Sequence, residues 1–390
     1  MNNDNAYGKR RRAEEEEEAN DATTDRLSHL PTLILHHILS FLKDTKSVVR
    51  TSLLSRGWRN AWKQVPVLEF HRSSFRRATE FDGFVDRVLS LRRDLNLSKV
   101  VYDDTRLSPE TPRIRKSDII DKQVKVINYA LSHDVRHLVV RSWEANERGL
   151  PCDFSSIFPA CCNNGNGNDC TKKKKTDHLK TLDLKWIDLD PGFVACSVFP
   201  MLTTLNLERC EFGAEGLILP ASIPLLTNLA ITNCRPKQEA ATRRTTKVYG
   251  PHLLTLKLNG GMGGCKIEVF APKLESFTLL QDVTSEGFFN TTFPALDRAD
   301  VALTEGHYCT KPRADHYLNS LFQVLCNAKS LKLDRNAFQI LNNRCEFLEQ
   351  QPSTHFKRLE SLILPPNNRI IDYFAKASSC EKLNICSGKG

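Results

Sequence analysis

The sequence predicts an α/β chain: a short three-helix segment near the N-terminus, followed by an irregular array of repeats that stack their strands into one parallel sheet. Two observations carry this. The first is a pattern L-x-x-L-x-L, relaxed to other apolar residues, that begins at Leu179, Leu202, Leu226, Leu253, Leu274, Leu296, Ala328 and Leu359, with spacings of 23, 24, 27, 21, 22, 32 and 31 residues. The second is the run LPTLILHHILSFL at residues 30–42, where Leu30, Ile34, Leu35, Ile38, Leu39 and Leu42 recur at three and four, the period of one helix face. A chain of 390 residues exceeds the ~100–200 of an ordinary domain, which suits several compact domains or one elongated array.

The helical segment is built in three steps. Pro31 is tolerated in the first turn of the first helix, because its missing N–H has no partner there. Asp44 is placed to cap a second stretch carrying Val48, Val49, Ser52 and Leu53. Ser55 is placed to cap a third, in which Trp58 and Trp62 lie one turn apart. Fewer than fifty residues cannot enclose so many large apolar side chains, since small units bury a smaller share of their surface, so part of this surface is expected to belong to a partner.

In the repeats, LKTLDL, LTTLNL, LLTLKL and LESLIL alternate with a period of two, so that pairs such as Leu182 and Leu184, or Leu205 and Leu207, point to one side of a short strand. One unit cannot cover that side, but stacked units can. Phe199-Pro200, Ala271-Pro272 and Phe293-Pro294 force an extended entry before their strands. Weaker copies begin at Leu97, Val135 and Cys380. Cys210, Cys234, Asn336 and Asn367 fall at the ninth position, with two residues between them and the core, where small residues suit a tight turn, while Asp282 and Thr304 break the rule. The non-leucine positions form the other face of the sheet. Lys185, Asn206, Lys257 and Lys332 are its candidate contacts by position.

Composition narrows the function. The thirteen cysteines are odd in number and include no C-x-x-C pair, which favours free thiols over bridges or zinc. Cys161, Cys162 and Cys170 with His178 match no zinc spacing; they lie in an Asn, Gly and Lys-rich stretch that reads as a flexible insertion. The formal charge of +9 divides into −3 for residues 1–24 and +4 for each of 25–70, 71–150 and 151–390, so no segment carries the concentrated charge of a nucleic-acid groove. No apolar stretch approaches the ~20 residues of a membrane span, and the first thirty residues show no apolar run of the secretory type, so neither membrane spanning nor secretion is expected. The run Lys9 to Arg12 is an import signal or a solvated charge run, which leaves nucleus and cytoplasm open. Phosphate-loop, H-E-x-x-H and G-x-S-x-G motifs are absent, which together with the repeats favours a binding surface over a catalytic one, with no cofactor or metal expected.

Within residues 25–70, the elements Leu30-Pro31, Ile38-Leu39-Ser40-Phe41-Leu42, Val49-Arg50-Thr51-Ser52, Leu54-Ser55-Arg56 and Trp58-Arg59 with Trp62 resemble an F-box of the plant type that precedes leucine-rich repeats. Gly57, Thr32 and Lys43-Asp44 depart from the family pattern at polar or loop positions. Composition makes residues 1–24 a disordered charged arm and places a flexible insertion near 161–177. The resemblance implies an F-box at 25–70 and an irregular leucine-rich-repeat solenoid at 71–390 with its parallel sheet on the concave face, ending in the start of an FBD-like segment near 370–386. It further implies a non-catalytic substrate receptor of an SCF-type ubiquitin ligase, its F-box docked on a SKP-family adaptor carried by a cullin-RING core and its repeats holding an unknown protein target. The adaptor-binding set would be Leu30, Pro31, Ile34, Leu35, Ile38, Leu39, Val48, Val49, Leu53 and Trp58. Two other readings compete: a repeat scaffold outside any ligase, and a helix-turn-helix with Arg50, Arg56, Arg59 and Lys63 on phosphates, which the apolar Leu53, Leu54, Trp58 and Trp62 disfavour.

Overall fold

A computed structural model of the chain describes residues 30–92, 94–105, 116–142, 152–158, 176–189, 199–212, 223–236, 245–260, 266–283, 293–304, 311–344, 356, 358–364, 368–378 and 383–387. The charged arm at 1–24, most of the expected insertion and Asn367 lie outside the described residues. The architecture is mixed α/β, with N-terminal helices followed by a large parallel sheet.

Helix α1 (Thr32–Ser40) starts directly after Pro31, whose carbonyl accepts the N–H groups of Ile34 and Leu35 at 2.9 and 3.1 Å. Asp44 caps α2 (Thr45–Arg50) as expected, accepting the Ser47 N–H at 2.8 Å. The third stretch differs from expectation. It winds as two 3₁₀ segments, Thr51–Leu53 and Trp58–Gln64, and Gly57, not Ser55, occupies the N-cap position. The Ser55 hydroxyl is buried with no hydrogen-bond partner. Poorer 3₁₀ hydrogen bonding is tolerated here because side-chain burial holds the segment: Trp58 and Trp62 are 2% and 6% exposed.

The sheet begins earlier than the sequence pattern suggests. Its first strand is β1 (Val67–His71), followed in the chain by β2 (Lys99–Asp103), β3 (His137–Arg141), β4 (Thr181–Lys185), β5 (Thr204–Glu208), β6 (Asn228–Thr232), β7 (Thr255–Asn259), β8 (Ser276–Asp282), β9 (Arg298–Thr304), β10 (Ser330–Leu333), β11 (Ser361–Leu364) and β12 (Asn384–Ser387). These twelve strands pair in chain order, every neighbour parallel. The register runs one apolar row straight through them, from Leu68 through Val100, Leu138, Leu182, Leu205, Leu229, Leu256, Phe277, Ala299, Leu331 and Leu362 to Ile385. The first residue of each pattern, Leu179 to Leu359, forms another buried row just before the strands.

Helices and short strands fill the connections between the strands. Where the pattern recurs after 31 or 32 residues there is room for a helix, and α5 (Lys311–Leu325) and α6 (Arg335–Asn342) appear there; α3 (Ala78–Leu91) and α4 (Lys116–Ser132) lie near the start, and α7 (Asn368–Ala377) fits between β11 and β12 although that unit is short. The connections from β3 to β8 carry short strands. Cys152–Asp153, Ile187–Asp188, Glu211–Phe212 and Arg235–Pro236 form a second parallel ribbon, and Thr245–Tyr249 pairs with Lys266–Phe270. The turn leaving β4, β5, β6 and β7 is the same in each: Trp186, Arg209, Asn233 and Gly260 have φ of 59°, 52°, 51° and 78°. The N–H of each donates to a carbonyl of the next strand, at 3.1, 2.7, 2.7 and 2.7 Å. Cys210 and Cys234 follow as buried turn residues, their thiols donating to the carbonyls of Leu184 and Leu207 at 3.5 and 3.6 Å. Asn336 instead lies in the first turn of α6, since the longer unit continues into a helix.

The N-terminal helices are bonded to the sheet. The Glu69 N–H donates to Thr45 Oγ1 at 2.7 Å, and Arg92 donates through Nη1 to the Val65 carbonyl at 2.5 Å. On the open face of β1 to β5 a charged ladder crosses the strands: Lys99 to Glu69 at 2.7 Å, Arg141 to Asp103 at 3.1 Å, His137 to Asp183 at 3.2 Å and Lys185 to Glu208 at 2.8 Å. His71 stands between Asp103 and Glu69, at 3.6 and 3.5 Å. Its pKa is raised, first by the hydrogen bond to Asp103, with burial opposing and Glu69 assisting. Burial pushes the Asp103 carboxyl up, but hydrogen bonds from His71, Thr105 and Arg141 outweigh it and hold the group well below the usual carboxylate range.

Three outcomes are expected. Because the folded state favours charged His71, its contribution is complete below the ordinary value of 6.5 and is lost as pH rises through the raised one. The urea midpoints of wild type and His71→Gln should therefore differ most near pH ~6 and converge in alkali. In the row of leucines, Leu205→Ala should cost about 2–5 kcal/mol in urea unfolding. Gly260→Ala should cost about 1–2 kcal/mol by its left-handed backbone alone, and its new Cβ would also lie 1.7 Å from Asn233 Oδ1.

Candidate functional site

A short helix that packs one face on a sheet turns its other faces to solvent. On α1, Leu35 and Leu39 are buried, joined by Val48, Ala61, Trp58 and Trp62 in the same apolar core as the repeats. Leu33, Ile34, Phe41 and Leu42 are 81%, 44%, 71% and 37% exposed, and Leu53 and Leu54 are 85% and 58% exposed. Six of the 14 large apolar side chains exposed among the described residues thus fall between positions 33 and 54, a density that marks an interaction surface.

The residues expected to meet an adaptor divide accordingly. Leu35, Leu39, Val48 and Trp58 are committed to the chain's own core. Leu30, Ile38 and Val49 are half-buried against it, while Pro31, Ile34 and Leu53 face solvent. Leu33, Phe41, Leu42 and Leu54 are exposed without having been singled out as contacts. A signal for them was present: Leu33 and Phe41 lie off the Leu35–Leu39 stripe, so α1 is apolar around most of its circumference, unlike a helix that only covers a core.

The second surface is the open face of the sheet. Lys185, Asn206, Lys257 and Lys332 all lie on it, at positions alternating with buried residues on β4, β5, β7 and β10. Lys185 is engaged by Glu208, and Asn206 donates to Asp183 at 2.5 Å. Lys257 and Lys332 are exposed. The four are spread across the sheet and form no single cluster.

Two groups among the described residues that could carry chemistry are occupied. Burial pushes the Cys210 thiol well up, which keeps it neutral and weakly nucleophilic. A cavity of about 390 Å³ between α3 and α4 is lined by Asp86, Leu89, Ser90, Lys125, Asn128, Tyr129 and Ser132. Its carboxylate, Asp86, is bound by Lys122 and Lys125 at 2.5 and 2.6 Å, and these outweigh the effect of burial to lower its pKa. It offers no free base. Among the described residues no cluster of three or more His, Cys, Asp or Glu is placed to hold a metal, and no helix is long and apolar enough to cross a membrane.

Comparison with known proteins bears on both surfaces. The F-box domain model matches residues 27–70, the segment that carries the exposed apolar side chains and runs into β1. An F-box/FBD/LRR-repeat protein of Arabidopsis thaliana is 37% identical over 352 residues, covering 85% of this chain and 71% of its own length. F-box/LRR-repeat protein 13 of the same plant is 38% identical over 292 residues, 71% of this chain and 56% of its own. F-box/LRR-repeat protein 25 is 28% identical over 215 residues, 54% of this chain and 69% of its own. Other relatives match over as little as 20% of their length. Helices that end in a sheet of leucine rows, joined to this similarity along most of the chain, make it a member of the plant F-box/LRR-repeat family.

Proposed function

We propose that this chain is the target-receptor subunit of an SCF-type ubiquitin ligase, docking through its F-box on a SKP-family adaptor and holding a protein target on its repeats. It performs no chemistry itself; the cullin-RING core would supply the ubiquitin. The observation that carries the reading is the exposed apolar set Leu33, Ile34, Phe41, Leu42, Leu53 and Leu54 on a segment matching the F-box. If a partner covered half of this area, at about 1.5–3 kcal/mol for each fully buried side chain, the gross gain would be roughly 5–10 kcal/mol, enough to offset much of the association cost. Twelve parallel strands stacked in chain order support reading the repeats as a solenoid with the open face as its concave side. The proposed role belongs to the nucleus or the cytoplasm.

Removing residues 25–70 would be a poor test, because Val67–Phe70 belong to β1 and their loss would uncover β2. Point substitutions separate docking from folding. Phe41→Asp and Leu53→Asp should leave the melting temperature unchanged, since both side chains are already in water, yet reduce capture of a purified SKP-family adaptor by about tenfold or more. Trp58→Ala should instead cost about 3–5 kcal/mol of stability. Undiminished adaptor binding by the Phe41→Asp, Leu53→Asp double variant would defeat the proposal.

A further inference from the structure

Four successive repeats make the same left-handed turn, and the residues that make it are unequal. Asn233 and Gly260 adopt positive φ readily; Trp186 and Arg209 do not. All four use the backbone N–H in the same way, so the hydrogen bonding of the turn asks for nothing at positions 186 and 209 that Asn or Gly would not supply. Two large side chains therefore stand at the end of β4 and β5 against local backbone preference. Such strain is characteristic of contact sites.

Their arrangement is specific. The Arg209 guanidinium lies over the Trp186 ring, 5.0 Å from its centroid. Trp186 is half-buried and Arg209 exposed, beside the open face. Because Arg209 is exposed, its guanidinium N–H groups remain open to a partner, and their fork geometry matches a carboxylate. Neighbouring carboxylates do not take it up: Glu208 is engaged by Lys185, and Asp183 by His137 and Asn206. Lys99, Arg141 and Lys185 each have a carboxylate partner, whereas Arg209 makes no ion pair among the described residues. Trp and Arg are also the residue types that most often dominate the binding energy of a protein interface.

We propose that Trp186 and Arg209 form the anchor at which the repeat sheet grips an aspartate or glutamate in an exposed segment of its protein target. The carboxylate sits on the outward edge of Arg209 and the flat indole packs the flanking chain. This rests on the reading of the repeats as the target-binding part, and adaptor docking at the F-box is independent of it.

The test is selection of random linear peptides displayed on phage against the immobilised full chain, followed by titration of the enriched synthetic peptides. Enriched sequences should carry a shared Asp or Glu. Arg209→Asn, and amidation of that acid in the peptide, should each weaken binding about tenfold, with little further loss when combined. Because Asn serves the same turn at position 233, Arg209→Asn should melt at or above the wild-type temperature, and it should capture the SKP-family adaptor unchanged. Absence of enrichment, enrichment without acids, or peptides that bind Arg209→Asn as well as wild type would overturn the anchor. So would a fall in melting temperature for both Arg209→Asn and Trp186→Asn, which would assign the pair to bracing the repeats. Loss of adaptor capture by Phe41→Asp is scored separately and bears only on the ligase reading.

Discussion

The structure depends on an unbroken parallel register. Each strand offers only two or three apolar side chains to the core, far too few to stand alone, and each gains its burial from the strand before and after it. Because neighbouring residues point to opposite faces, a slip of one residue would expose a whole leucine row. The row from Leu68 to Leu362 is therefore a cooperative constraint, and the left-handed turns at Trp186, Arg209, Asn233 and Gly260 extend the hydrogen bonding beyond the strand ends. At the far end Ile385 is in register with the row yet 44% exposed, since no strand beyond β12 covers it among the described residues.

At the near end the F-box closes the array. Trp58, Trp62, Leu35 and Leu39 join the repeat core, and Thr45 bonds directly to the backbone of β1. The apolar residues of one short segment are thus shared between two tasks, covering the first strand and facing outward. A rigid connection follows from this sharing: a partner bound on the F-box would be held in a defined relation to the open face, as a receptor that positions a target requires. The charged ladder of Glu69, His71, Asp103 and Arg141 lies on the strands next to that joint and strengthens it without using apolar area.

Much of the fold was legible. Periodicity located every strand of the twelve-stranded sheet from Thr181 to Leu364, but not the short strands between them. The first strand was missed because Val67–His71 follows the tryptophans without an L-x-x-L-x-L signature, and its apolar residues read equally well as the end of the helical segment. Ser55 looked like a cap, but Gly57 and the two buried tryptophans draw the chain into tight 3₁₀ turns. For the candidate sites, periodicity named the apolar set, while the division between core and surface was not in it. Leu35 and Leu53 are the same residue type at similar pattern positions, yet 4% and 85% exposed.

By itself the sequence determined the class of fold, most strand positions of the large sheet and the apolar character of the F-box, because periods of two and of three to four are local properties of the chain. Only the tertiary structure decided which leucines face a partner, which charges cancel across strands and which turn residues carry strain. Those depend on what the neighbouring repeat places alongside, and strands adjacent in the sheet are separated by twenty or thirty residues whose contents no local pattern reports.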